Sequence, residues 1–221
     1  MTFDAASVAL QDTTAGGATA AAAPTTLTFD GSASVTIPAG GDATSDPVTL
    51  TVQQQATVLV SLQVHGSVSA MPGHSVARTP VWVSDPTNRT SDTAAAHYTQ
   101  TTYTGLPYLS GIDVTTSTSN PTGSLVLYRD QSVNGDTASE DDRHHLSDAI
   151  TNALVNDPHG DNSVDYGVLN AGTDSNSLLL PQITNSTNLL NALNPLDRNV
   201  LVQGNVRTVL VSTGAADLLN C

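Results

Sequence analysis

Alternation of apolar and polar residues with period two runs through the first half of this chain and restricts what that half can fold into. The clearest example is the segment 57–64, Thr-Val-Leu-Val-Ser-Leu-Gln-Val. Similar short segments lie at 27–31, 33–37 and 47–52, with turn residues between them. Short alternating runs of β-branched residues are typical of half-buried antiparallel strands. Several of them in succession predict a β-sandwich or jelly-roll-like domain, which we place at residues 1–114.

A different pattern begins after a polar run at residues 115–122, which we interpret as an interdomain linker. Short apolar runs that end in polar turns then alternate with stretches of helical periodicity. The predicted elements are a strand at 125–127, a helix from 146 to 154, a strand at 166–170, a helical stretch at 189–202 and a strand at 206–211. Strands that alternate with helices predict an α/β domain with a parallel sheet, here residues 123–221.

The charge of the chain excludes some classes of partner. Six basic residues face twenty acidic ones, which gives a formal net charge of −14, and lysine is absent. Phosphate backbones and anionic lipids both need a basic patch, so we expect neither nucleic acid nor membrane as a partner. The stretch 18–23 is too short to span a bilayer, and the amino end lacks the features of a signal peptide. We expect an extracellular origin with the signal absent from this chain.

Residues 129–135, Arg-Asp-Gln-Ser-Val-Asn-Gly, follow the strand at 125–127 directly. In this register they resemble the first block of the SGNH (GDSL-type) hydrolases, an apolar strand followed by Gly-Asp-Ser-x-Thr-Asp-Gly. Asp130 and the closing glycine are kept. Gln131 stands where that family has its nucleophilic serine.

Two later segments extend the resemblance. Residues 167–176 look like the second block, Asn-x-Gly-Ile-x-Gly-Asn, with Asn170, Gly172 and Asn176 matching and Ser175 at the second glycine. Residues 214–217, Gly-Ala-Ala-Asp, look like the third block, Gly-x-Asn-Asp, with Ala216 at the asparagine and Asp217 kept. The first half is similar to the β-rich region that precedes this domain in some secreted actinobacterial members; segments 27–31 and 45–48 carry that similarity.

The resemblance implies a flavodoxin-like, SGNH-type three-layer domain, here truncated, and hydrolysis of a small ester or acylated sugar. It places substrate near Gly172, Asn176 and Asp217. The catalytic positions are altered, because Gln131 has no oxygen that a base could activate and Ala216 has no donor for an oxyanion. The Asp-x-x-His that supplies the family's base is also missing from the carboxyl end. We therefore expect an inactive or severely impaired relative of the esterases.

Several alternatives stay open. Ser132 becomes the nucleophile if the register slips by one residue. The whole chain is otherwise a non-catalytic module that binds a glycan or a protein, or has a structural role. No cofactor is expected, since phosphate-binding glycine loops and cysteine clusters are absent; Cys221 is the only cysteine.

Two further patterns carry less weight in the sequence alone. Acidic and histidine residues between 141 and 161 fit no zinc or EF-hand spacing, which favours a solvated loop over a metal site. Asn88-Arg-Thr90 and Asn185-Ser-Thr187 match the N-glycosylation pattern, as chance predicts in a chain so rich in these residues. Finally, the apolar strand at 209–211 would form an unfinished sheet edge, and we expect self-association through it.

Overall fold

The computed structural model is mostly β-strand, with little helix and several separate sheets. It describes residues 1–68, 71–74, 79–102, 105–116, 122–129, 145–156, 165–172 and 196–213. The chain divides into two compact units. The first unit comprises Met1–Met71 and Pro80–Tyr103, and the second unit comprises Pro72–Thr79 and Thr104–Cys221.

Strand β1 (Thr2–Leu10) is the centre of the first unit. Strand β4 (Val58–Val64) pairs antiparallel along one edge of β1, from Phe3 to Leu10. Two short strands, β2 (Thr25–Leu27) and β3 (Val35–Thr36), pair antiparallel with other parts of β1. Because β4 occupies one edge along nearly the whole strand, β2 and β3 must share the other edge. The segment 57–64, predicted from its alternation, is thus confirmed as a strand.

Strand β1 is buried on both of its faces, and most of its buried residues are small. Phe3, Ala6, Ser7, Val8 and Ala9 are all buried, and successive side chains of a strand point to opposite faces. The one polar member of this set, Ser7, donates its hydroxyl hydrogen to the carbonyl of Thr90. This bond satisfies a buried hydroxyl and ties the loop at 85–94 to the central strand.

The predicted strand at 47–52 is wrong, because these residues form no strand. Pro47 lacks the N–H that a ladder needs. The preceding residue, Asp46, makes side-chain contacts with an earlier turn. Its carboxylate accepts hydrogen bonds from the hydroxyl of Thr28 at 2.6 Å and from the amide of Gly31 at 2.8 Å. Those charge-stabilising contacts lower the pKa of Asp46. The segment is therefore fixed by side-chain contacts at its start rather than by strand pairing.

Two small antiparallel pairs complete the strands of residues 72–107. Strands β6 (Trp82–Ser84) and β7 (Tyr98–Gln100) pair in the first unit. In the second unit, β5 (Gly73–His74) pairs with β8 (Leu106–Pro107). Gly73 has a positive φ of 159°, and a Cβ there would lie within 3 Å of the backbone of β8, so this crossing requires glycine. The first unit is β-rich, and its arrangement as a sandwich or jelly roll stays a prediction.

A parallel three-stranded sheet forms the centre of the second unit. Its middle strand is β9 (Thr122–Arg129), flanked by β10 (Asp165–Asn170) on one side and β11 (Val206–Ser212) on the other. Both pairings are parallel. Consecutive residues Val126, Leu127 and Tyr128 are buried, which means that both faces of β9 are covered, as is usual for a parallel sheet. The strands predicted at 125–127, 166–170 and 206–211 are confirmed.

One α-helix, α1 (Leu146–Val155), lies between β9 and β10 in the described chain and contacts β10. The carboxylate of Asp148 accepts a hydrogen bond from the amide of His145 at 2.8 Å and so caps the first turn. The helix is where periodicity predicts it, but no residue of it is buried and Leu154 is 39% exposed. The expected buried face is therefore only half covered.

The core of the second unit lies where β9 meets the residues after β10 and before β11. Val126, Tyr128, Ala171 and Val200 form a buried cluster, with Leu169, Leu196 and Val206 packed against it. Val200 belongs to a π-helical turn, Asp197–Leu201, within the predicted helical stretch 189–202.

Among the described residues, no helix combines the length and apolar character needed to cross a bilayer.

Candidate functional site

The carboxyl ends of β9, β10 and β11 lie at one edge of the parallel sheet. Ser212, the last residue of β11, is in register with Arg129, the last residue of β9. Asn170, the last residue of β10, is in register with Leu127, two residues before the end of β9. In open parallel sheets the carboxyl edge is where ligands bind and where polar loops supply chemistry. We refer to this place as the carboxyl edge.

A short hydrogen-bonded turn extends β10 at the carboxyl edge. The amide of Ala171 donates to the carbonyl of Leu127 at 2.9 Å, so the sheet pairing continues past Asn170. The side-chain oxygen of Asn170 then accepts the amide hydrogen of Gly172 at 3.0 Å. Both Ala171 and Gly172 are buried. The predicted substrate-contact residue Gly172 therefore lies at the carboxyl edge, with its own N–H engaged by Asn170.

A residue that sequence reasoning missed lies at the end of β11. Thr213 follows Ser212 directly, and its Oγ1 is buried without a hydrogen-bond partner in the part of the chain that the structure describes. A buried hydroxyl without a partner costs roughly 1–3 kcal/mol relative to a satisfied one. Such a group is therefore a candidate to bind a ligand or a water molecule. No sequence signal distinguishes Thr213 from the many other threonines, because the signal is its burial.

The other predicted site residues fall outside the described residues. They are Asp130, Gln131, Ser132, Ser175, Asn176, Ala216 and Asp217. The structure does show the three strand ends that these residues follow in the sequence. Asp130 follows β9 immediately, Ser175 and Asn176 come shortly after Gly172, and Ala216 comes shortly after Thr213. The three segments thus begin at one edge of one sheet.

A small cleft lies at the opposite, amino-terminal end of this sheet. Its volume is about 90 Å³, and Asp113, Ser124, Gly167 and Gly204 are among its lining residues. The Ser124 hydroxyl donates to the carbonyl of Gly204 at 2.8 Å, which closes one wall. The cleft is smaller than the ~150 Å³ cavity that accommodates benzene in an engineered protein. It is therefore too small for a drug-sized substrate.

The first unit has a cleft of similar volume, about 90 Å³, with an almost wholly apolar lining. Val8, Leu10 and Leu50 supply its larger side chains, and Ala21, Ala22 and Ala23 close one side. No titratable side chain lines it. This cleft offers space for a few apolar atoms and no group that could activate a substrate.

Ionic contacts of the first unit cluster in the loop at 85–97. Arg89 makes a two-pronged contact with Asp85, with Nη2 at 2.9 Å from Oδ2 and Nε at 3.2 Å from Oδ1. Asp92 lies 3.8 Å from Arg89 and accepts from His97 at 2.8 Å. The Arg89 hydrogen bonds and the amide of Thr87 lower the pKa of Asp85 to about 2.

The same loop is bonded to the strands beneath it. The Tyr98 hydroxyl donates to the carbonyl of Arg89 at 2.6 Å. Burial of the phenol ring raises the pKa of Tyr98. The aromatic residues Trp82 and Tyr98 are both half-buried. These contacts give the loop a structural role.

Metal ligation finds no support in the described part of the chain. No three residues among its histidines, aspartates, glutamates and cysteines come together in a way that could hold an ion. Of the acidic and histidine residues between 141 and 161, His145 and Asp148 are described, and they cap α1. The remaining acidic and histidine residues of that segment lie outside the described ranges.

Neither a protein-family model nor a curated protein matches this chain.

Proposed function

We propose that this chain is a relative of the SGNH (GDSL-type) ester hydrolases that keeps their parallel-sheet scaffold and has lost ester turnover. One observation carries the proposal: three parallel strands end at one edge, and each of the three motif-like segments departs from one of those ends. Numbered along the chain, these strands lie in the order second, first, third. Flavodoxin-like sheets begin with that order.

The loss of turnover follows from the side chains at the aligned positions. Ester hydrolysis by this family needs an oxygen nucleophile, and the carboxamide of Gln131 cannot serve as one. The oxyanion that forms on attack needs donors, and Ala216 supplies none from its side chain. Removing one such donor typically lowers turnover by ~10²–10³. Because both the nucleophile and the oxyanion donor are replaced, the scaffold can still bind a substrate but cannot turn it over.

The remaining parts of the proposal concern the architecture and origin of the chain. Residues 1–114 form a β-sandwich or jelly-roll-like domain, 115–122 a linker, and 123–221 the α/β domain. The strand-rich first unit supports a β-rich first domain, whereas residues 72–79 and 104–114 of the proposed range belong to the second unit. The strongly acidic, lysine-free surface is compatible with export. The substrate class implied for any surviving activity is a small ester or an acylated sugar.

Hydrolysis of a chromogenic short-chain acyl ester tests the proposal. The purified chain should release product no faster than buffer. Ser132→Ala and Gln131→Ala form a matched pair that tests the register. Turnover that disappears in Ser132→Ala and persists in Gln131→Ala would overturn the proposal and make Ser132 the nucleophile of an active esterase.

A second candidate is a non-catalytic binding module, which the Thr213 hydroxyl favours. A buried hydroxyl at the carboxyl edge can exchange its missing hydrogen bond for one to a ligand. Calorimetric titration with a small acylated sugar separates this candidate from a purely structural role. Binding should weaken in Thr213→Val and stay unchanged in Thr208→Val, which alters an exposed threonine of the same strand.

A further inference from the structure

Asn88 lies in an exposed loop of the first unit and begins an Asn-Arg-Thr sequence. The side-chain oxygen of Asn88 accepts two hydrogen bonds from Thr90, one from its amide at 3.0 Å and one from its hydroxyl at 2.8 Å. The first of these bonds closes an Asx turn. The second places the threonine hydroxyl directly on the carboxamide of Asn88.

This arrangement prepares the nitrogen of the Asn88 side chain for modification. Both bonds use Oδ1, and the described hydrogen bonds of Asn88 leave Nδ2 unoccupied. A hydroxyl that donates to the oxygen of a carboxamide withdraws electron density from it and makes its N–H more acidic. Asn88 itself is exposed, so an enzyme can reach it.

The contacts that hold the loop in place do not involve this nitrogen. Tyr98 bonds the carbonyl of Arg89, and Ser7 bonds the carbonyl of Thr90. The Arg89 guanidinium bonds Asp85. A bulky group on Nδ2 of Asn88 would therefore leave each anchor of the loop intact. Exposed loops with such tolerance are where Asn-x-Ser/Thr glycans are carried.

We propose that Asn88 is an acceptor for an N-linked glycan in a compartment that contains an oligosaccharyltransferase. The inference rests on the export included in the proposed function. The co-reactant is an oligosaccharide joined through its anomeric carbon to a lipid pyrophosphate. Nδ2 attacks that carbon, the C–O bond to the phosphate breaks, and the lipid pyrophosphate leaves with the electron pair. The proton lost from Nδ2 goes to a base of the transferase, and nothing is oxidised or reduced.

The test is to direct the full chain into a eukaryotic secretory pathway with an added signal and a reference Asn-Gly-Thr in a flexible carboxyl-terminal tail. Glycan positions are mapped by mass spectrometry after enzymatic release, which converts each modified asparagine to aspartate. Only chains that carry the reference glycan are scored, since these have met the transferase. Most of them should carry a second glycan at Asn88.

Four variants decide whether this glycan is specific. Asn88→Gln and Thr90→Ala should each lose one glycan mass, whereas the conservative Thr90→Ser should keep it. Asn185→Gln, in the other Asn-x-Ser/Thr pattern, should leave Asn88 modified. An unmodified Asn88 in chains that carry the reference glycan would overturn the inference, as would a Thr90→Ala chain still modified there. No activity is measured, so failure of the ester-hydrolase proposal leaves this result unaffected.

Discussion

The side chain of Arg207 on β11 lies across Gly123 on the neighbouring strand β9. A Cβ added at Gly123 would come within 2.5 Å of the Cδ of Arg207 and 2.8 Å of its Cγ. Gly123 is buried although it has no side chain, because the aliphatic part of Arg207 covers it. The aliphatic stem of an arginine can cover apolar surface in this way. This contact packs β11 against β9 near the amino ends of both strands.

The first prediction concerns this contact. Gly123→Ala should destabilise the chain, because its methyl group displaces Arg207. In a chain that already carries Arg207→Ala, Gly123→Ala should raise the free energy of unfolding by roughly 0.5–1 kcal/mol, which is the usual advantage of alanine over glycine within a strand. Denaturant unfolding of the four chains measures the coupling, which we expect at about 1 kcal/mol or more. Additive effects of the two changes would contradict the contact.

The second prediction concerns the hydroxyl of Thr213. Thr213→Val replaces a buried group that has no partner among the described residues with an apolar group of the same shape. We expect the free energy of unfolding to stay equal or rise by up to about 1 kcal/mol. Thr208→Val on the same strand, where the residue is exposed, serves as the control. If Thr213→Val lowers the free energy of unfolding by more than about 1 kcal/mol and Thr208→Val does not, the Thr213 hydroxyl forms a hydrogen bond in the folded chain.

The third prediction concerns acid stability. The folded-state pKa of Asp85 is lowered to about 2 by hydrogen bonds from Arg89 and from the amide of Thr87. An unfolded aspartate titrates near ~3.9, so the stabilisation is complete above that pH and disappears as the pH falls towards 2. Asp85→Asn should therefore melt below the wild type at pH 6 and approach it at pH 2. Asp12 and Asp46, whose pKa values are also lowered, are present in both chains and cancel in the comparison.

Added salt provides the control for this pH dependence. The Asp85 carboxylate is exposed, so ions screen its contact with Arg89. The difference in melting temperature at pH 6 should shrink at high ionic strength. An equal difference between the two chains at pH 2 and at pH 6 would show that Asp85 contributes nothing through its charge.

The fourth prediction concerns the free side of β11. In the described structure β11 pairs with β9 along one edge only, and Val209, Leu210 and Val211 are 38%, 42% and 57% exposed. An exposed apolar edge strand is a template for pairing with another strand. We predict concentration-dependent self-association in sedimentation velocity, which Val211→Lys should reduce. Val83→Lys, which adds the same charge at an exposed valine of β6, should leave it unchanged. Equal effects of the two lysines would mean that charge alone controls association.

Much of the second unit could be predicted from the sequence because its strands are continuous apolar runs. The segments around Val126, Val168 and Val209 are short apolar runs that stand out against the polar turns that follow them. Strand β1 was harder, because the residues that bury it include Ala6, Ser7 and Ala9. Such small side chains bury both faces of a strand without producing a hydrophobic period. The alternating pattern therefore predicts no strand at residues 2–10.

The carboxyl edge of the sheet could be predicted from the sequence, whereas the contacts made there could not. Polar segments that follow apolar strands place the carboxyl edge, and an Asn-x-Gly sequence favours the turn from Asn170 to Gly172. The burial of the Thr213 hydroxyl is a property of the folded chain that no local sequence pattern reports. The loop that carries Asn88 is likewise anchored by a hydrogen bond from Ser7, which is distant in sequence, and by one from Tyr98. Local patterns do not contain such long-range contacts.

Labelling with a fluorophosphonate probe tests the central claim most directly. Such a probe phosphonylates the activated serine of an ester hydrolase and spares serines without a base, and mass spectrometry locates the adduct. A scaffold that carries Gln131 in place of the attacking serine should remain unlabelled at a probe concentration that fully labels a control esterase. A stable adduct on Ser132 would contradict the account and identify a working nucleophile.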